Sequence, residues 1–232
     1  MVYDGSQIDV YPDCNIAVIS GDSGAGSWVY QLRRLDYDRG MLDPVIPLIK
    51  PGTTVLDIGA FIGTHTVEYL KHAACVVSFE PNPTAFACLT HNCPNAIKIN
   101  VALGLKTTTR YWTRIYPNCG ASYLSDEETP GCLSVPVRPL DSFKLPSRIS
   151  YIKLDAEGEE VAILRGAINT IMEHKPAMLI EVNKAALART GTSEEELLSV
   201  LHTYGYETKP IWPGTETTPQ WDVIATPKEE TR

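Results

Sequence analysis

An alternation of apolar, β-branched runs with amphipathic segments, beginning at Thr53, is the feature that most limits the folds open to this chain. The first run, residues 54–58 (TVLDI), is apolar except for one aspartate, which is typical of a strand covered on both faces. Strands of this kind that alternate with helices form parallel sheets, because each crossover helix packs back onto the sheet. The sequence therefore predicts an α/β fold.

The alternation predicts a doubly wound, mostly parallel sheet of seven strands, in which the last two strands form an antiparallel hairpin at one edge. The predicted strands are residues 54–58, 75–80, 96–103, 151–155, 177–182, 206–212 and 221–226. The predicted helices are residues 64–72, 83–91, 161–171 and 193–204. Asn82 before Pro83 is a capping signal, and Ser193 with Glu196 forms a capping box.

Two segments depart from the alternation. Residues 1–50 are predicted to form an N-terminal extension with a lid-like segment, including a Gly- and Ser-rich loop at 21–26. Helical patterns follow at 43–49 and, more weakly, at 32–42. The main domain then spans residues 51–228, with a hairpin or meander insertion at about 105–137.

Composition narrows the classes of function. The chain has 20 basic and 28 acidic residues, and its net charge of −8 argues against non-specific binding of nucleic acid. Its six cysteines include no Cys-x-x-Cys pair, so we expect free thiols and no zinc site. We find no signal-peptide pattern and no apolar run of the roughly 18 residues that a membrane span needs, and we expect a soluble cytoplasmic protein.

Chemistry-bearing residues concentrate where the predicted strands end. In a doubly wound sheet, ligands bind beyond the carboxyl ends of the strands, near the point where strand order reverses. These ends carry Asp57 to Gly63, Glu80 with Asn82, Ala102 with Leu103, Asp155 with Glu157, and Glu181 with Asn183. Four of the five are acidic, which predicts a ligand site at this edge.

The first turn favours a nucleoside-like ligand over a dinucleotide. Gly59 and Gly63 have the spacing Gly-x-x-x-Gly, and the middle glycine of the dinucleotide fingerprint is absent. Glu80, at the end of the second strand, is placed to accept hydrogen bonds from ribose hydroxyls. Asp57 is then expected to face the ammonium group of the ligand. The alternatives without a ligand are that Gly59 and Gly63 only form a tight βα turn, and that Glu80 is a structural carboxylate.

At this point the sequence resembles the FkbM-type methyltransferases. The motifs, in the family's order, are VLDIGAFIG at 55–63, FEPNP at 79–83, VPVRPLD at 135–141, IKLDAEGEE at 152–160, LRGA at 164–167 and LIE at 179–181. One departure is Phe61, where the family usually carries asparagine, so that one polar contact near the cofactor is lost.

The resemblance implies a class I, Rossmann-like methyltransferase that uses S-adenosylmethionine, usually for O-methylation of a sugar, polyketide or similar hydroxyl. The strand ends and the motifs together assign the cofactor to one set of residues. They are Asp57, Gly59, Ala60, Phe61, Gly63, Thr64, Glu80, Asn82, Pro83, Ala102, Leu103 and Asp155. The expected acceptor is a small molecule or glycan.

Three roles remain open for the acidic residues Asp155, Glu157 and Glu181, which we take as the catalytic candidates. Asp155 or Glu157 is a general base for the acceptor hydroxyl. Alternatively, Asp155, Glu181 and Asn183 hold a magnesium-like ion, an arrangement similar to the metal site of catechol O-methyltransferase. In the third reading, Glu157 and Glu181 are purely structural and either pair with Lys153 or cap helices. The base is favoured over the metal.

The remaining candidates are less specific. His65 lies early in the helix after the first turn, where a packed or surface histidine is more common than a catalytic one. Tyr111, Trp112, Tyr116 and Tyr123 either line an acceptor cleft in the insertion or pack within it.

Three functions remain open. The first is the O-methyltransferase; the second is a nicotinamide-dependent oxidoreductase on a related sheet, which the missing glycine disfavours. The third is an inactive cofactor-binding subunit that serves in protein interaction.

Overall fold

The computed structural model describes residues 6–36, 38–146, 148–212 and 219–229. The strands are β1 (Ile8–Tyr11), β2 (Ile16–Ile19), β3 (Thr54–Ile58), β4 (Cys75–Phe79), β5 (Ile97–Ile99), β6 (Ala102–Leu103), β7 (Thr108–Thr113), β8 (Tyr123–Ser125), β9 (Leu133–Arg138), β10 (Ile149–Leu154), β11 (Ala177–Asn183), β12 (Tyr206–Trp212) and β13 (Gln220–Pro227). The α-helices are α1 (Ala25–Leu32), α2 (Arg39–Val45), α3 (Thr66–Tyr69), α4 (Pro83–Asn92), α5 (Glu160–Gly166), α6 (Ile168–His174), α7 (Lys184–Arg189) and α8 (Glu194–Thr203).

The main sheet has seven strands in the order β12-β13-β11-β10-β3-β4-β5. The strands from β11 to β5 pair in parallel, whereas β13 pairs antiparallel with both β11 and β12. The predicted mostly parallel sheet is therefore confirmed. The chain runs outward from β3 to β5 and then returns to lay β10 on the other side of β3. The strand order thus reverses between β3 and β10, where a ligand is expected.

Alternate residues of the central strands pack against helices on opposite faces of the sheet. Val55 lies in one apolar cluster with Tyr69 and Leu89, while its neighbour Leu56 lies in another with Leu164. All five residues of β3 are buried, as its continuous apolar run predicts. Full burial of a side chain such as Leu56 contributes about 1.5–3 kcal/mol to folding, so this layer fixes the strand ends firmly.

A hairpin of β1 and β2, which the sequence analysis did not predict, packs against the main domain. Asn92, at the end of α4, holds it: its side-chain oxygen accepts from the Ala17 N–H at 2.8 Å, and its amide nitrogen donates to the Ala17 carbonyl at 2.9 Å. The same nitrogen donates to the carbonyl of Ile62 at 2.7 Å. The hairpin is therefore joined to the loop that follows β3.

The predicted third strand, residues 96–103, is wrong as a single element. Its first part is β5 in the main sheet, and its last part is β6 in a second sheet with the order β6-β9-β7-β8. Asn100 lies at the break and donates its side-chain amide to the carbonyls of Glu80 and Pro81, at 2.7 and 3.1 Å. Three strands of the second sheet, β7, β8 and β9, come from the predicted insertion.

Several helices differ from prediction in length. The helix predicted over 64–72 has regular α-helix only in α3, and the one predicted over 161–171 is two helices that meet at Ala167. Ala167 has φ −119° and ψ 9°, which interrupts the helix, and Gly166 before it packs where a Cβ would lie 2.1 Å from the Gly104 carbonyl oxygen. The predicted region 32–42 is interrupted at Arg33, which has a left-handed φ of 55°.

Other local predictions are confirmed. The Asn82 side chain caps α4, and the Ser193 hydroxyl accepts from the Glu196 N–H at 3.2 Å to cap α8. The six cysteines are free. Within the described ranges, no helix has the length and apolarity that a membrane crossing requires.

Candidate functional site

A cavity of about 400 Å³ opens at the carboxyl ends of β3, β4, β10 and β11. The strand ends supply its floor, including Gly59, Glu80, Asp155 and Glu181. Its other walls come from distant segments, residues 118–122 among them. The cavity lies at the reversal of strand order, where the sequence predicts the ligand site.

The turn after β3 is shaped by close contact within the protein. Gly59 has φ +76°, and a Cβ there would lie 1.7 Å from the Asp155 carbonyl oxygen. Gly63 has φ +96°, and a Cβ there would lie 2.7 Å from the Cys93 sulfur. Both glycines are thus needed by the fold. Gly59 also lines the cavity, whereas Gly63 is not among the described lining residues.

Glu80 ends β4 and is only 3% exposed, yet it lines the cavity. Its carboxylate accepts from the backbone N–H groups of Phe61 and Asn82, each at 2.8 Å and each on a different oxygen. Burial raises the pKa of Glu80 to about 7, although those two N–H groups lower it. Each carboxylate oxygen keeps a second acceptor position, so the residue can still accept from a ligand's hydroxyls.

Asp57 does not occupy the place that the sequence analysis gives it. The residue is fully buried, and its carboxylate accepts from the Thr66 hydroxyl at 2.5 Å. Its other oxygen lies 3.9 Å from the Lys153 ammonium. The structure therefore corrects the predicted contact with the ligand's ammonium group. The Asp57 carboxylate has no exposed surface, and it stabilises the loop from inside the protein.

Lys153 is the cavity residue that the sequence analysis treated only as a structural partner. The Lys153 side chain is 7% exposed. Its ammonium donates to the Gly59 carbonyl at 2.8 Å and lies 3.1 Å from the Asp155 carboxylate. Burial lowers its pKa, but the carboxylates of Asp155 and Asp57 outweigh that effect and raise it. A lysine in the otherwise apolar strand ISYIKL was the available signal, because lysine is almost never fully buried unless paired.

Three carboxyl groups meet at the other end of the cavity. One oxygen each from Asp155, Glu157 and Glu181 lies within 4.8 Å of the other two. Burial and, to a smaller extent, the Asp155 charge raise the pKa of Glu157 to about 8. Burial and the charges of Asp155 and Glu157 also raise the pKa of Glu181 well above its usual value. The structure therefore brings together all three predicted catalytic residues.

Glu157 is held in an unusual conformation. Its φ is +54°, in the left-handed region, and Gly158 follows with φ +108°. Glu160 fixes this turn, since its carboxylate accepts from the N–H groups of Ala156 and Gly158 at 2.9 and 3.3 Å. The glutamate that ends the motif thus orients the one that faces the cavity.

The predicted metal set of Asp155, Glu181 and Asn183 is only partly assembled. Asn183 lines the cavity, but its side-chain oxygen accepts from the Ala186 N–H at 3.1 Å and caps α7. Glu157, which was not in the predicted metal set, groups with the other two carboxylates.

The other predicted cofactor residues divide into two groups. Phe61, Thr64, Ala102 and Leu103 line the cavity. Ala60, Asn82 and Pro83 are not among the described lining residues, and Asn82 instead caps α4 by accepting from the N–H groups of Thr84 and Ala85.

The roof of the cavity comes from two segments far apart in sequence, which the sequence analysis did not connect. Asp22, which is buried, accepts from the Cys119 N–H at 2.9 Å and from the Gly26 N–H at 2.8 Å. The Ser23 N–H donates to the Pro117 carbonyl at 2.9 Å. Ala25 and Cys119 both line the cavity, so this junction holds its cover together.

Among the less specific candidates, His65 and Trp112 line the cavity. The nitrogen of the Trp112 ring is buried and has no acceptor among the described residues. Tyr116 is 63% exposed, and Tyr123 stacks with Arg189, so these tyrosines do not line the cavity.

Comparison with known proteins gives consistent matches. The family described as Methyltransferase FkbM domain matches residues 57–208. A curated relative, the hexuronic acid methyltransferase AglP of Haloferax volcanii, is 24% identical over 149 residues, which is 62% of each chain. The chain thus spans less than two thirds of that relative's length.

Two solved structures share the fold. A methyltransferase FkbM from Methylobacillus flagellatus superposes with a TM-score of 0.53 at 19% identity, covering 86% of this chain and 50% of that one. A Streptococcus mutans protein, assigned as a methyltransferase and solved with S-adenosylhomocysteine, gives 0.50 at 12% identity, covering 79% and 93%.

Proposed function

This chain belongs to the FkbM methyltransferase family, and from that premise we propose that it transfers the methyl group of S-adenosylmethionine to a hydroxyl of a sugar or similar small acceptor. The observation that carries the proposal is one cavity with Glu80 on one side and the carboxyl cluster of Asp155, Glu157 and Glu181 on the other. This pairing offers a ribose-binding carboxylate and a proton-accepting group in the same space.

The spacing of the sheet suits a nucleoside cofactor. Glu80 follows β4 and Glu181 lies in β11, three strands away in the sheet order. Neighbouring strands are about 4.8 Å apart, so these positions are separated by about 14 Å across the sheet. We propose that Glu80 accepts from the ribose hydroxyls, while Gly59, Phe61, Thr64, Ala102 and Leu103 contact the rest of the cofactor.

The acceptor belongs, in this proposal, beside Asp155, Glu157 and Glu181. S-adenosylmethionine, when bound, supplies an electrophilic methyl group on a positively charged sulfur. The acceptor oxygen forms a bond to the methyl carbon as the carbon–sulfur bond breaks, and the hydroxyl proton passes to Asp155 or Glu157. Glu181 orients the acceptor. Residues 118–122 and Ala25 limit water above the site.

A sugar acceptor is favoured by two observations. The relative from Haloferax volcanii is named as a hexuronic acid methyltransferase. In this chain the acceptor end presents carboxylates, which accept hydrogen bonds from the several hydroxyls of a sugar. A cluster of like charges in a low-dielectric cavity also favours a neutral polyhydroxyl face over an anionic one.

Calorimetric titration with S-adenosylhomocysteine and, separately, with NAD tests the cofactor assignment. We expect saturable binding of S-adenosylhomocysteine alone. The Glu80→Ala variant should bind it about tenfold to hundredfold more weakly, because hydrogen bonds to a charged group contribute about 1.5–3 kcal/mol.

Glu68→Ala is the matched control. Glu68, on α3, is also a buried glutamate, and its carboxylate accepts a hydrogen bond from Lys71. It is not among the described cavity residues. Its replacement should leave the affinity unchanged. Binding of NAD without S-adenosylhomocysteine would favour an oxidoreductase, and binding of neither would contradict the proposed cofactor assignment.

A further inference from the structure

We infer that Asp155, Glu157 and Glu181 form a binding site for one hard divalent cation of the Mg²⁺ or Ca²⁺ class. The three side chains come from the ends of β10 and β11 and the turn after β10, and each contributes one oxygen to a group within 4.8 Å. Carboxylate oxygens are the ligands that such cations prefer. Binding of the cation does not depend on the proposed function, whereas its catalytic role rests on it.

Glu181 gives the second, independent observation. The residue is 5% exposed, and its Oε1 accepts from the side-chain amide of Gln220. Its Oε2 is buried and has no hydrogen-bond partner among the described residues, although the side chain lines the cavity. A buried carboxylate oxygen without a donor costs folding free energy unless something compensates it. A cation bound at the cluster supplies that compensation.

Two positive charges would balance the charge of the carboxyl cluster. Metal ligands must be deprotonated, so a bound cation faces three ionised carboxylates, which with the Lys153 ammonium 3.1 Å from Asp155 carry a net charge of −2. Two further groups lie at the edge of the cluster. Arg189 is 3.7 Å from the Glu157 carboxylate, and the carboxyl group of Asp222 on β13 offsets the positive charge of that arginine. A single divalent cation therefore neutralises the cluster.

The oxygen separations suit this class of ion. Two ligands of one cation can be no farther apart than twice the metal–oxygen distance, which is about 4.2 Å for Mg²⁺ and about 5 Å for Ca²⁺. A group of three oxygens within 4.8 Å thus comes within reach of one such ion after a closure of the cluster, which is smaller for Ca²⁺ than for Mg²⁺. Asp155 is 39% exposed as a side chain, which leaves an open side for water or an acceptor hydroxyl.

The catalytic consequence follows if the chain is a methyltransferase as proposed. An acceptor hydroxyl that binds the cation has a lower pKa and a fixed position beside the methyl group. Its proton leaves to water or to a carboxylate oxygen that does not touch the cation. Vicinal hydroxyls, which supply two oxygens, fit such a site better than a single alcohol does.

Binding of Mn²⁺ to the metal-stripped protein, followed by electron paramagnetic resonance, tests the inference. We expect one saturable site per chain, from which Mg²⁺ or Ca²⁺ displaces Mn²⁺. The Glu181→Gln variant, which preserves shape, should weaken Mn²⁺ binding about tenfold or more through the loss of one of three ligands. Glu159→Gln is the control, since Glu159 lines the same cavity but pairs with Arg110 outside the cluster.

Circular dichroism checks that each variant is folded, and Asp155→Asn replaces Glu181→Gln if the latter is not. The inference is overturned if the wild type shows no saturable Mn²⁺ site, or if the glutamine variants at 181 and 159 bind equally well. S-adenosylhomocysteine titration separates the two proposals. Cofactor binding without a metal site refutes only the cation, and a metal site without cofactor binding refutes only the methyltransferase.

Discussion

Glu80 shows how a buried carboxylate can fix a turn and still line a cavity. It fixes the turn after β3 through the Phe61 N–H and still lines the cavity. The sequence predicts its position well, because an acidic residue at the end of the second strand is a local pattern. The surroundings that set its pKa are not local, since they come from packing of several strands.

The raised pKa of Glu80 predicts pH-dependent cofactor binding. Burial raises this pKa to about 7, and ribose hydroxyls donate to the ionised form. The affinity for S-adenosylhomocysteine should therefore fall about tenfold between pH 8 and pH 6, because the ionised fraction falls by that factor. Calorimetry at fixed ionic strength measures it. The Glu80→Gln variant should bind weakly with no such dependence, and equal wild-type affinity at both pH values would contradict the assignment.

The free protein should show the opposite trend from this same group. Folding raises the pKa of Glu80, so its contribution to stability is complete below about pH 4 and is lost as pH rises through about 7. The two trends separate an effect on binding from an effect on the fold.

At the scale of elements, prediction succeeds where the determining pattern is local. The apolar runs of β3 and β10 and the caps of α4 and α8 are visible in a few consecutive residues. It fails where a distant contact decides. Asn100 directs the chain from one sheet to another by bonding to Glu80, and no nearby residue signals this.

The cap of α4 tests the division between structural and cofactor-binding residues. Asn82 is 1% exposed, and its side chain accepts from the Thr84 N–H at 2.8 Å. The Asn82→Ala variant should lose about 1 kcal/mol in the free energy of unfolding, the usual effect of removing an N-cap. Urea denaturation measures the loss, and Asn82→Ser, which keeps a capping oxygen, should restore most of it.

The Asn82→Ala variant should leave cofactor affinity within about threefold of wild type. The contact between position 82 and Glu80 is made by the backbone N–H, which alanine retains. A large loss of affinity with little loss of stability would instead make the Asn82 side chain a cofactor ligand.

Over the whole molecule, the cavity depends on contacts between segments that the sequence analysis treated separately. The N-terminal segment meets the insertion at Asp22 and Cys119, 97 positions apart. Loop residues so distant in sequence share no periodicity, which is why the contact between these two segments was not predicted. The carboxyl cluster was predictable, because all its members end neighbouring parallel strands or follow one directly.

Removing the Asp22 carboxylate should loosen the cover of the cavity. The Asp22→Ala variant leaves the buried N–H of Cys119 without its acceptor, at a cost of about 1–3 kcal/mol. Amide hydrogen exchange should accelerate at Gly26 and across residues 117–122, and not in β10. Asp22→Asn, which keeps one carbonyl oxygen, should have an intermediate effect. Unchanged exchange in the alanine variant would show that other contacts hold the cover.

Because the two segments that cover the cavity are joined to each other, ligand binding and the closure of these segments over the cavity affect each other. If a ligand is held more tightly when Ala25 and Cys119 lie over it, then the bound ligand must by the same factor favour the closed arrangement of both segments. In that case the β1–β2 hairpin, whose strand β2 is tied through Asn92 to the loop after β3, adjoins the part of the protein that responds to occupancy of the cavity. The outer surface of the N-terminal segment would then differ between the ligand-bound and the empty protein.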